Sequence, residues 1–481
     1  MIATNKTLLT MLISAVGITG CTMQPEYQAP VLPVQSEWQG QPVPASADEQ
    51  AVDQIHWQSF FNQPDLQNLI QLALQNNRDL QIAALNIQSA KARYRIERSA
   101  LLPSLDATAT KTATHLPQGV FMTQQGGEVT YQDYQAGLGI TAWELDLFGR
   151  IRSLKGQALE TFFATQANAV AVKTSLMVEV AQAYLTLCAD NDLLRLAQET
   201  HANQEAAWQL VKQTFDAGVS NELELTQAET SVKSAQADLI QYQRVVRQDI
   251  NALRLLLGTA VPAQTLANAS LGKDWQFPAV SAGLPSDLLT RRPDIIAAEH
   301  TLKAANANIG AARAAFFPSI SLTAFAGSQS SSLSGLFDDN SGAWTFTPSI
   351  SLPLFTGGAN KANLDVAELS KQVEVATYEK AVQTAFQEVS DALAGKATYD
   401  AELSARADFA DANQRYYELA EMRFNQGVDS FLEVLDAQRN LYAARQSQVS
   451  TELAALVQKI TLYKVLGGGW QNLSVQAVEE G

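Results

Sequence analysis

The chain has little of the side-chain chemistry on which most enzymes and metal proteins depend. Its 481 residues include two cysteines and four histidines, and the histidines are scattered along the sequence. It lacks the His-Glu-x-x-His, Cys-x-x-Cys, phosphate-loop and Gly-x-Ser-x-Gly motifs, each of which would indicate a metal or catalytic site. We therefore expect no enzymatic activity, no metal site and no cofactor.

Basic residues and long apolar runs are also scarce. Lysine and arginine number 33 against 49 aspartate and glutamate residues, which gives a net charge of -16. This charge argues against a nucleic-acid partner, because nucleic acid requires a basic face. No apolar stretch reaches the roughly 18–20 residues of a spanning helix. If the chain crosses a membrane, it must therefore do so as a closed barrel, in which no backbone group stays unpaired.

The N-terminus has the features of a bacterial export signal over residues 1–20. Lys6 precedes the apolar run Leu8–Ile18, and a Thr-Gly pair precedes Cys21. This order is typical of a lipobox, whose cysteine becomes the acylated first residue of a lipoprotein. The alternative is an ordinary signal peptide with an incidental cysteine. The other cysteine, Cys188, then cannot form an internal disulfide, and we expect it to be a small buried residue of a helix.

The rest of the sequence contains two copies of one pattern: helix, strand pair, very long helix, turn and helix. Ser-Ala-Leu-Leu-Pro-Ser at 99–104 corresponds to Ala-Ala-Phe-Phe-Pro-Ser at 314–319, and Phe-Asp-Ala-Gly-Val at 215–219 corresponds to Phe-Asn-Gln-Gly-Val at 424–428. Such a duplication favours a tube whose wall is built from repeated hairpins. The predicted organisation is an extended segment 21–63, a first repeat 64–258 (strands about 104–114 and 131–147, helices 150–215 and 221–257), a connector 259–284, a second repeat 285–466 (strands about 318–327 and 344–355, helices 359–424 and 429–466) and a tail 467–481.

The long helix predicted at 150–215 is unusual in length. Its range contains no proline, and glycine occurs only at Gly156. At about 1.5 Å per residue it would be of order 100 Å long, whereas globular helices average about 11 or 12 residues. The sequence therefore predicts a coiled-coil strut.

Helices and strands meet at residues that suit a change of backbone. Proline cannot continue either hydrogen-bond ladder, and Pro103 and Pro318 stand where a helix gives way to a strand. Glycine supplies unusual backbone freedom, and Gly149 and the pair Gly357 and Gly358 stand where a strand returns to a helix.

The strands alternate in the manner of membrane strands. Trp344, Phe346 and Ile350 alternate with Thr345 and Thr347, and each strand has about the 9–11 residues that a tilted crossing needs. The alternative is a soluble sandwich. Because four strands cannot close a barrel of useful bore, a membrane barrel must be shared, and a trimer would give about twelve strands, within the known range.

Several motifs in this order resemble the TolC/OprM family of outer-membrane efflux proteins, in its lipoprotein NodT-type branch. The resemblance covers essentially the whole chain after the signal peptide, and no single motif is specific on its own. The matching segments are the lipobox with Pro25-x-Tyr27-x-x-Pro30, Trp143–Gly149, Arg291–Asp294, Phe317–Ser319, Leu354–Gly358 and Leu435–Arg439.

The resemblance implies a mixed α and β fold: a trimeric channel-tunnel with four transmembrane strands per chain, a twelve-strand barrel in the outer membrane and a long α-helical barrel in the periplasm. It implies docking onto a membrane-fusion adaptor and an inner-membrane efflux transporter, with contact to outer-membrane lipid. It also implies that Thr22 after Cys21 directs the lipoprotein to the outer membrane. The expected function is passive, gated export of drugs and other toxic small molecules. Type I protein secretion, metal-ion efflux and a purely structural periplasmic coiled coil are the alternatives.

The last helix carries the candidate gate. Its predicted apolar seam includes Leu432, Leu435 and Arg439, and a cation in such a line needs a partner. Trimer symmetry would repeat Asp436 as a ring of three like charges, which would disfavour anions if it faces inward. The first copy has Gln227 and Thr230 at the matching positions, so these charges belong to one hairpin only.

The family resemblance implies that Leu432, Asp436 and Arg439 form the constriction of the periplasmic mouth. The alternative is that both charged residues are solvated and pair within one helical turn. The two interhelical turns are the candidate adaptor-docking site, through Gly218, Val219, Gly427 and Val428. Their alternative is a capped turn with no partner.

Overall fold

The computed structural model describes residues 22–32, 50–52, 55–117, 129–272, 275–281 and 288–469. The predicted signal peptide 1–20 and Cys21 lie outside these residues. The helices are α1 Trp57–Phe60, α2 Pro64–Asn76, α3 Arg78–Ser99, α4 Arg150–Asp216, α5 Glu222–Leu257, α6 Ala263–Ala267, α7 Leu288–Arg291, α8 Pro293–Ala314, α9 Ala359–Asn425 and α10 Phe431–Val465. The strands are β1 Gln50–Ala51, β2 Asp106–Leu116, β3 Val129–Leu145, β4 Val280–Ser281, β5 Ser319–Ser330 and β6 Gly342–Ser351.

The long helices end at residues with specific capping chemistry. The Asn221 side chain accepts a hydrogen bond from the Glu224 backbone N–H at 3.0 Å and so caps the N-terminus of α5. Such a cap satisfies one of the donors that have no partner inside the helix. At the other end of α5, Gly258 has φ +65°, the left-handed conformation that glycine adopts without a Cβ penalty.

Four long strands form one antiparallel sheet in the order β2-β3-β5-β6. The strand pair of each repeat forms a hairpin, and the two hairpins join through β3 and β5. The register shifts once between Ile140 and Trp143, where Ala142 has φ +50°; this is the geometry of a β-bulge. The short strands β1 and β4 pair separately in parallel.

The register assigns the side chains of the large sheet to two contrasting faces. Directly opposed residues share a face, so Trp344 lies beside Ala326 and Leu138, all on one apolar face. Thr347 and Thr323 oppose each other on the other face. The apolar face is unusually open in a single chain: Trp344 is 77% exposed.

The chain divides into two compact units. The first comprises the described residues of 1–31, 86–165 and 298–378, and so contains the large sheet with α8 and the start of α9. Within it, the N-terminal strap, residues 22–29, lies against α4 and α8. The Asn306 side chain donates to the Pro25 carbonyl at 2.8 Å, and the Tyr27 hydroxyl donates to Glu299 at 3.4 Å.

The second unit comprises the described residues of 32–85, 166–297 and 379–481. Its core includes an aromatic cluster in which Phe60 and Tyr463 stack at 3.9 Å. The same unit contains Arg292, which is 8% exposed. Its Nη2 lies 2.7 Å from Oδ2 of Asp294 and 2.7 Å from Oε2 of Glu388. Its guanidinium also donates to the Val465 carbonyl at 3.3 Å, so one buried cation connects the start of α8 with α9 and the end of α10.

Three further features bear on function. Cys188 is fully buried within α4, as expected. None of the helices in the described ranges combines the length and the apolarity of a membrane span. In the same ranges, no group of three or more His, Cys, Asp or Glu side chains is arranged to hold a metal ion.

Candidate functional site

The turn between α4 and α5 and the turn between α9 and α10 have the same backbone geometry. In the first, Gly218 has φ +76° and its N–H donates to Phe215, while the Val219 N–H donates to Thr214. This pair of bonds is the Schellman motif, which satisfies the last carbonyls of a helix. The second turn repeats both bonds around Gly427, at φ +70°.

Apolar side chains project from both turns. Val219 is 82% exposed and Val428 is 59% exposed. In each repeat, the residue four positions after this valine is also exposed: Leu223 is 67% exposed and Leu432 is 51% exposed. Because large apolar side chains gathered in one exposed place commonly mark an interaction surface, the valine and leucine of each turn make the turn a candidate interaction surface. Leu223 was not identified from the sequence, although its alignment with Leu432 in the repeat could have revealed it.

A hydrophobic cluster beside the turns fixes the two hairpins to each other. It includes Val211 of α4, Ala228 of α5, Ala420 of α9 and Leu435 of α10, all buried. All four long helices therefore contribute to one packed core beside the turns. A rigid end of this kind holds the exposed turn residues in fixed positions.

The structure corrects the predicted seam of α10. Leu432 and Arg439 were placed on the apolar line, but both are exposed, and so is Asp436. The buried line instead includes Phe431, Leu435 and Gln438. The three candidate gate residues therefore share one exposed face of α10, at the spacing of four and three that brings side chains onto one side of a helix.

Asp436 and Arg439 do not pair within their turn. Asp436 accepts a hydrogen bond from the Asn440 side chain at 3.1 Å. Arg439 has no carboxylate within ion-pair distance among the described residues, and it borders a cleft of about 290 Å³. This cleft lies between α4, α5 and α10 and is also lined by Gln204 and Thr230. A guanidinium in this setting can engage a carboxylate or carbonyl from outside the chain.

A second set of charges near the α9–α10 turn was not identified from the sequence. Arg423 and Asp429 form a bidentate ion pair, with Nη2 and Oδ1 3.0 Å apart. The hydrogen bond from Arg423 lowers the pKa of Asp429. Tyr416 donates to Glu433 at 2.5 Å, and this bond raises the pKa of Tyr416 to about 12. Thr214 and Ser220 occupy the ion-pair positions in the first copy, so this pair too belongs to one hairpin.

The residues predicted at helix–strand transitions lie between the elements. Pro103 follows α3 and precedes β2, and Pro318 directly precedes β5. Gly149 has φ +76° directly before α4, and Gly357 and Gly358 have φ +61° and +89° directly before α9. The Gly149 and Gly358 carbonyls accept hydrogen bonds from residues four positions later, so each glycine opens a helix.

A network of ion pairs fixes the transition from β3 to α4. Arg150 donates to both oxygens of Glu144, the shorter contact being 2.6 Å. Its pKa is raised above the usual arginine value mainly by this hydrogen bond. Arg152 donates to Asp146 through its side chain at 3.1 Å and its backbone N–H at 2.9 Å. Such pairs hold the last residues of the strand against the first turn of the helix.

Comparison with known proteins gives a consistent result. A sequence model of the family described as "Outer membrane efflux protein" matches residues 69–259 and 284–468. The chain is 47% identical over 478 residues to the antibiotic efflux pump outer membrane protein ArpC of Pseudomonas putida, and the alignment covers 99% of this chain and 98% of ArpC.

Two solved structures share this fold over most of the chain. A membrane protein from Pseudomonas aeruginosa matches with a TM-score of 0.87 and 39% identity, over 94% of this chain and 98% of the other. The open state of the MtrE outer membrane channel of Neisseria gonorrhoeae matches with a TM-score of 0.82 and 39% identity, over 94% of this chain and 99% of MtrE.

Proposed function

This chain belongs to the outer membrane efflux protein family, and from that premise we propose that three copies of it form one gated export duct. Membership confirms the predicted fold class, the efflux function and the outer-membrane location. The family is one of efflux channels rather than of enzymes. We extend this to the chain itself: it catalyses no reaction and conducts its cargo passively.

The observation that carries the trimer is the pair of sheet edges. Within the described residues β2 and β6 each pair on one side only, at opposite edges of a four-stranded sheet. An unpaired strand edge is not tolerated in hydrocarbon, because its N–H and C=O groups have no partner. Pairing β6 of one copy with β2 of the next satisfies both edges, and three copies then close a twelve-stranded barrel.

Apolar side chains on the helices next to these edges support the same assembly. Ile96 of α3, which precedes β2, is 65% exposed. Val366, Leu369 and Val373 of α9, which follows β6, are 62%, 59% and 62% exposed, and their spacing of three and four puts them on one helix face. An edge-to-edge contact would bring α3 of one copy towards α9 of its neighbour and would cover both sets.

Disulfide cross-linking tests this arrangement. Cysteine at Thr108 of β2, combined in turn with cysteine at Thr345, Thr347 or Ser349 of β6, should give covalent trimers on a denaturing gel for at least one combination. The matched control is Gln135→Cys with Gln329→Cys, which oppose each other within one chain and should cross-link without forming trimers. Monomers throughout the β2 and β6 series would refute edge-to-edge closure.

We assign the gate of the duct to the exposed face of α10 that carries Leu432, Asp436 and Arg439. Threefold symmetry would gather three copies of this face around one axis. Leu432 would then lie next to Asp436 and Arg439 near this axis. The ring of three Asp436 carboxylates would disfavour anions. Arg439 has no ion-pair partner among this chain's described residues, and its partner would come from a neighbouring copy.

Conductance in planar bilayers tests the gate. Asp436→Ala combined with Arg439→Ala should raise single-channel conductance and reduce the preference for cations. Gln227→Ala combined with Thr230→Ala changes the corresponding positions of the first copy and should leave both quantities as in the wild type. Equal conductance in the two double variants would remove these residues from the gate.

We assign adaptor docking to the two turns, with Gly218 and Val219 in one and Gly427 and Val428 in the other. Their support is the exposed valine that each turn holds in a fixed Schellman geometry. Val219→Ser with Val428→Ser should weaken co-purification of a periplasmic membrane-fusion adaptor. Thr226→Ser, on the exposed surface of α5, should not.

We propose antibiotics and similar toxic small molecules as the cargo, with an inner-membrane efflux transporter supplying the energy. The support is the printed name of the relative ArpC, an antibiotic efflux protein, at 47% identity. Deleting the gene should increase susceptibility to antibiotics, and unchanged susceptibility would refute this cargo. Acylation of Cys21 stays a prediction from the sequence.

A further inference from the structure

An aromatic side chain interrupts the polar face of the large sheet. The register places Phe325 of β5 between Gly139 of β3 and Thr345 of β6. The same face carries hydroxyl and amide side chains, including Gln135 and Thr347. A phenyl ring cannot form the hydrogen bonds that its hydroxyl and amide neighbours on this face can form, so its position there requires an explanation.

Three glycines form the surface on which this ring lies. A Cβ placed on Gly137 would lie 2.7 Å from Cζ of Phe325, and a Cβ on Gly327 would lie 2.8 Å from the same atom. A Cβ on Gly139 would lie 3.8 Å from Cδ2 of the ring. The ring therefore occupies the space that side chains at Gly137 and Gly327 would fill, and it lies in van der Waals reach of a Cβ at Gly139. It lies along the sheet instead of standing away from it, and the side chain is only partly exposed.

The glycines are also required by the strands themselves. A Cβ on Gly137 would lie 2.5 Å from the Ala326 carbonyl oxygen and 2.6 Å from the Gly327 Cα. The backbones of β3 and β5 approach too closely there for any larger residue. An aromatic side chain packed over a glycine of the neighbouring strand is a known means of stabilising a sheet at that glycine. Any apolar side chain of similar size would cover the glycine in the same way.

We propose that Phe325 is a contact site for flat aromatic cargo on the wall of the pore. This rests on the proposed function, in which the polar face lines the pore and the apolar face meets lipid. Three copies would then place three aromatic rings at one height. Because each ring lies flush with the wall, it offers a stacking surface without narrowing the passage.

The strength of such a contact suits a duct. Two stacked aromatic rings attract each other only weakly beyond the gain from burying their apolar surface. The hydroxyl groups on the rest of this face offer no equivalent stacking surface. Passage through a pore requires binding that is favourable enough to admit a solute and weak enough to release it. An aromatic solute would therefore dwell longer at Phe325 than an aliphatic solute of the same charge and similar size.

Pore block by two organic cations tests the proposal. Tetraphenylphosphonium and tetrabutylammonium are added in turn to the extracellular side of trimers in planar bilayers, with potassium chloride as the current carrier. Phe325→Leu keeps an apolar side chain over the glycines and should weaken block by tetraphenylphosphonium roughly two- to tenfold. Block by tetrabutylammonium and the conductance without a blocker should stay as in the wild type. Phe325→Tyr keeps the ring and should retain the aromatic block.

The possible outcomes separate this inference from the function on which it rests. If wild-type protein forms no conducting trimers, the proposed duct is wrong. If wild type conducts but Phe325→Leu leaves block by both cations unchanged, or weakens both equally, the aromatic contact site is wrong and Phe325 only covers the glycines. Detergent-resistant trimers of each variant show that a lost block does not come from lost assembly.

Discussion

Replacing Gly310 by alanine should displace the N-terminal strap from α8. A Cβ at this position would lie 2.8 Å from the Gln24 Cα and 2.9 Å from the Gln24 backbone N, both atoms of the strap. It would also lie 2.5 Å from Oγ of Ser153, a residue that is 1% exposed. A hydroxyl can rotate away, but the backbone of the strap cannot yield without losing its contacts.

Gly156 of α4 provides the matched control. It too lies beside the strap, but a Cβ there would have its nearest neighbours at 3.8 Å, which is ordinary van der Waals contact. Alanine within a helix gains roughly 0.5–1 kcal/mol over glycine. Both variants receive this gain, so the difference between them isolates the clash. We expect Gly310→Ala to be less stable than Gly156→Ala by about 1–3 kcal/mol, the usual cost of overpacking.

Hydrogen exchange by mass spectrometry measures the local effect, and thermal unfolding of the purified protein measures the global one. Amides of residues 22–31 should exchange faster in Gly310→Ala than in wild type, and as slowly as wild type in Gly156→Ala. Adding Ser153→Ala to Gly310→Ala should restore little protection, because the contact with Gln24 remains. Equal stability and equal protection in the two glycine variants would refute the reasoning.

Two further predictions concern buried charges in the second unit. Arg292→Met should destabilise the protein by about 1–3 kcal/mol, because charge-assisted hydrogen bonds of a buried cation are lost while its two carboxylate partners, 45% and 44% exposed, stay hydrated. The Arg195 side chain is 61% exposed, and Arg195→Met should cost less than about 1 kcal/mol in the same denaturant titration. Burial raises the pKa of Asp190 to about 7, with Asp249 as a second cause. Between about pH 4 and pH 7, the Asp190 carboxyl is protonated in the folded protein, whereas in the unfolded chain, with the ordinary pKa of 3.8, it is ionised. Because the folded state binds the extra proton, the free energy of unfolding should fall as pH rises from about 4 to about 7. Asp190→Asn should flatten this part of the stability profile, and an unchanged slope would contradict the assignment.

The long helices were the easiest elements to predict because their sequence signals are local. The absence of proline and near absence of glycine placed the first long helix at 150–215, and α4 spans Arg150–Asp216. The last strand was harder: its apolar alternation continues beyond the ladder, and it was placed at about 344–355. In the structure β6 ends at Ser351, opposite Ser319, where its partner strand begins after Pro318. Pro353 lies two residues beyond this end and has no backbone N–H with which to extend the ladder. The apolar alternation was therefore followed past a stop signal in the strand's own sequence.

The seam of α10 could not be fixed from its own residues. Near the turn, Leu435 fits two lines: one with Leu432 and Arg439, and a second with Phe431 and Gln438. Packing against Ala228 and Ala420 of the other helices selects the second line, and these contacts come from distant parts of the chain. The candidate gate residues were therefore identified by resemblance, while the exposed face that they share became visible only in the structure.

The duplication within one chain has a consequence for how such a duct can evolve. A trimer of this chain would have a pseudo-sixfold wall, with two kinds of hairpin alternating around the axis. A substitution in the α9–α10 hairpin changes three positions around the ring and leaves the three α4–α5 hairpins as they were. The Arg423–Asp429 pair and the Asp436 and Arg439 charges all lie in that one hairpin. In the proposed duct, one half of the wall is therefore free to diverge towards opening and closing while the other half keeps the cylinder intact.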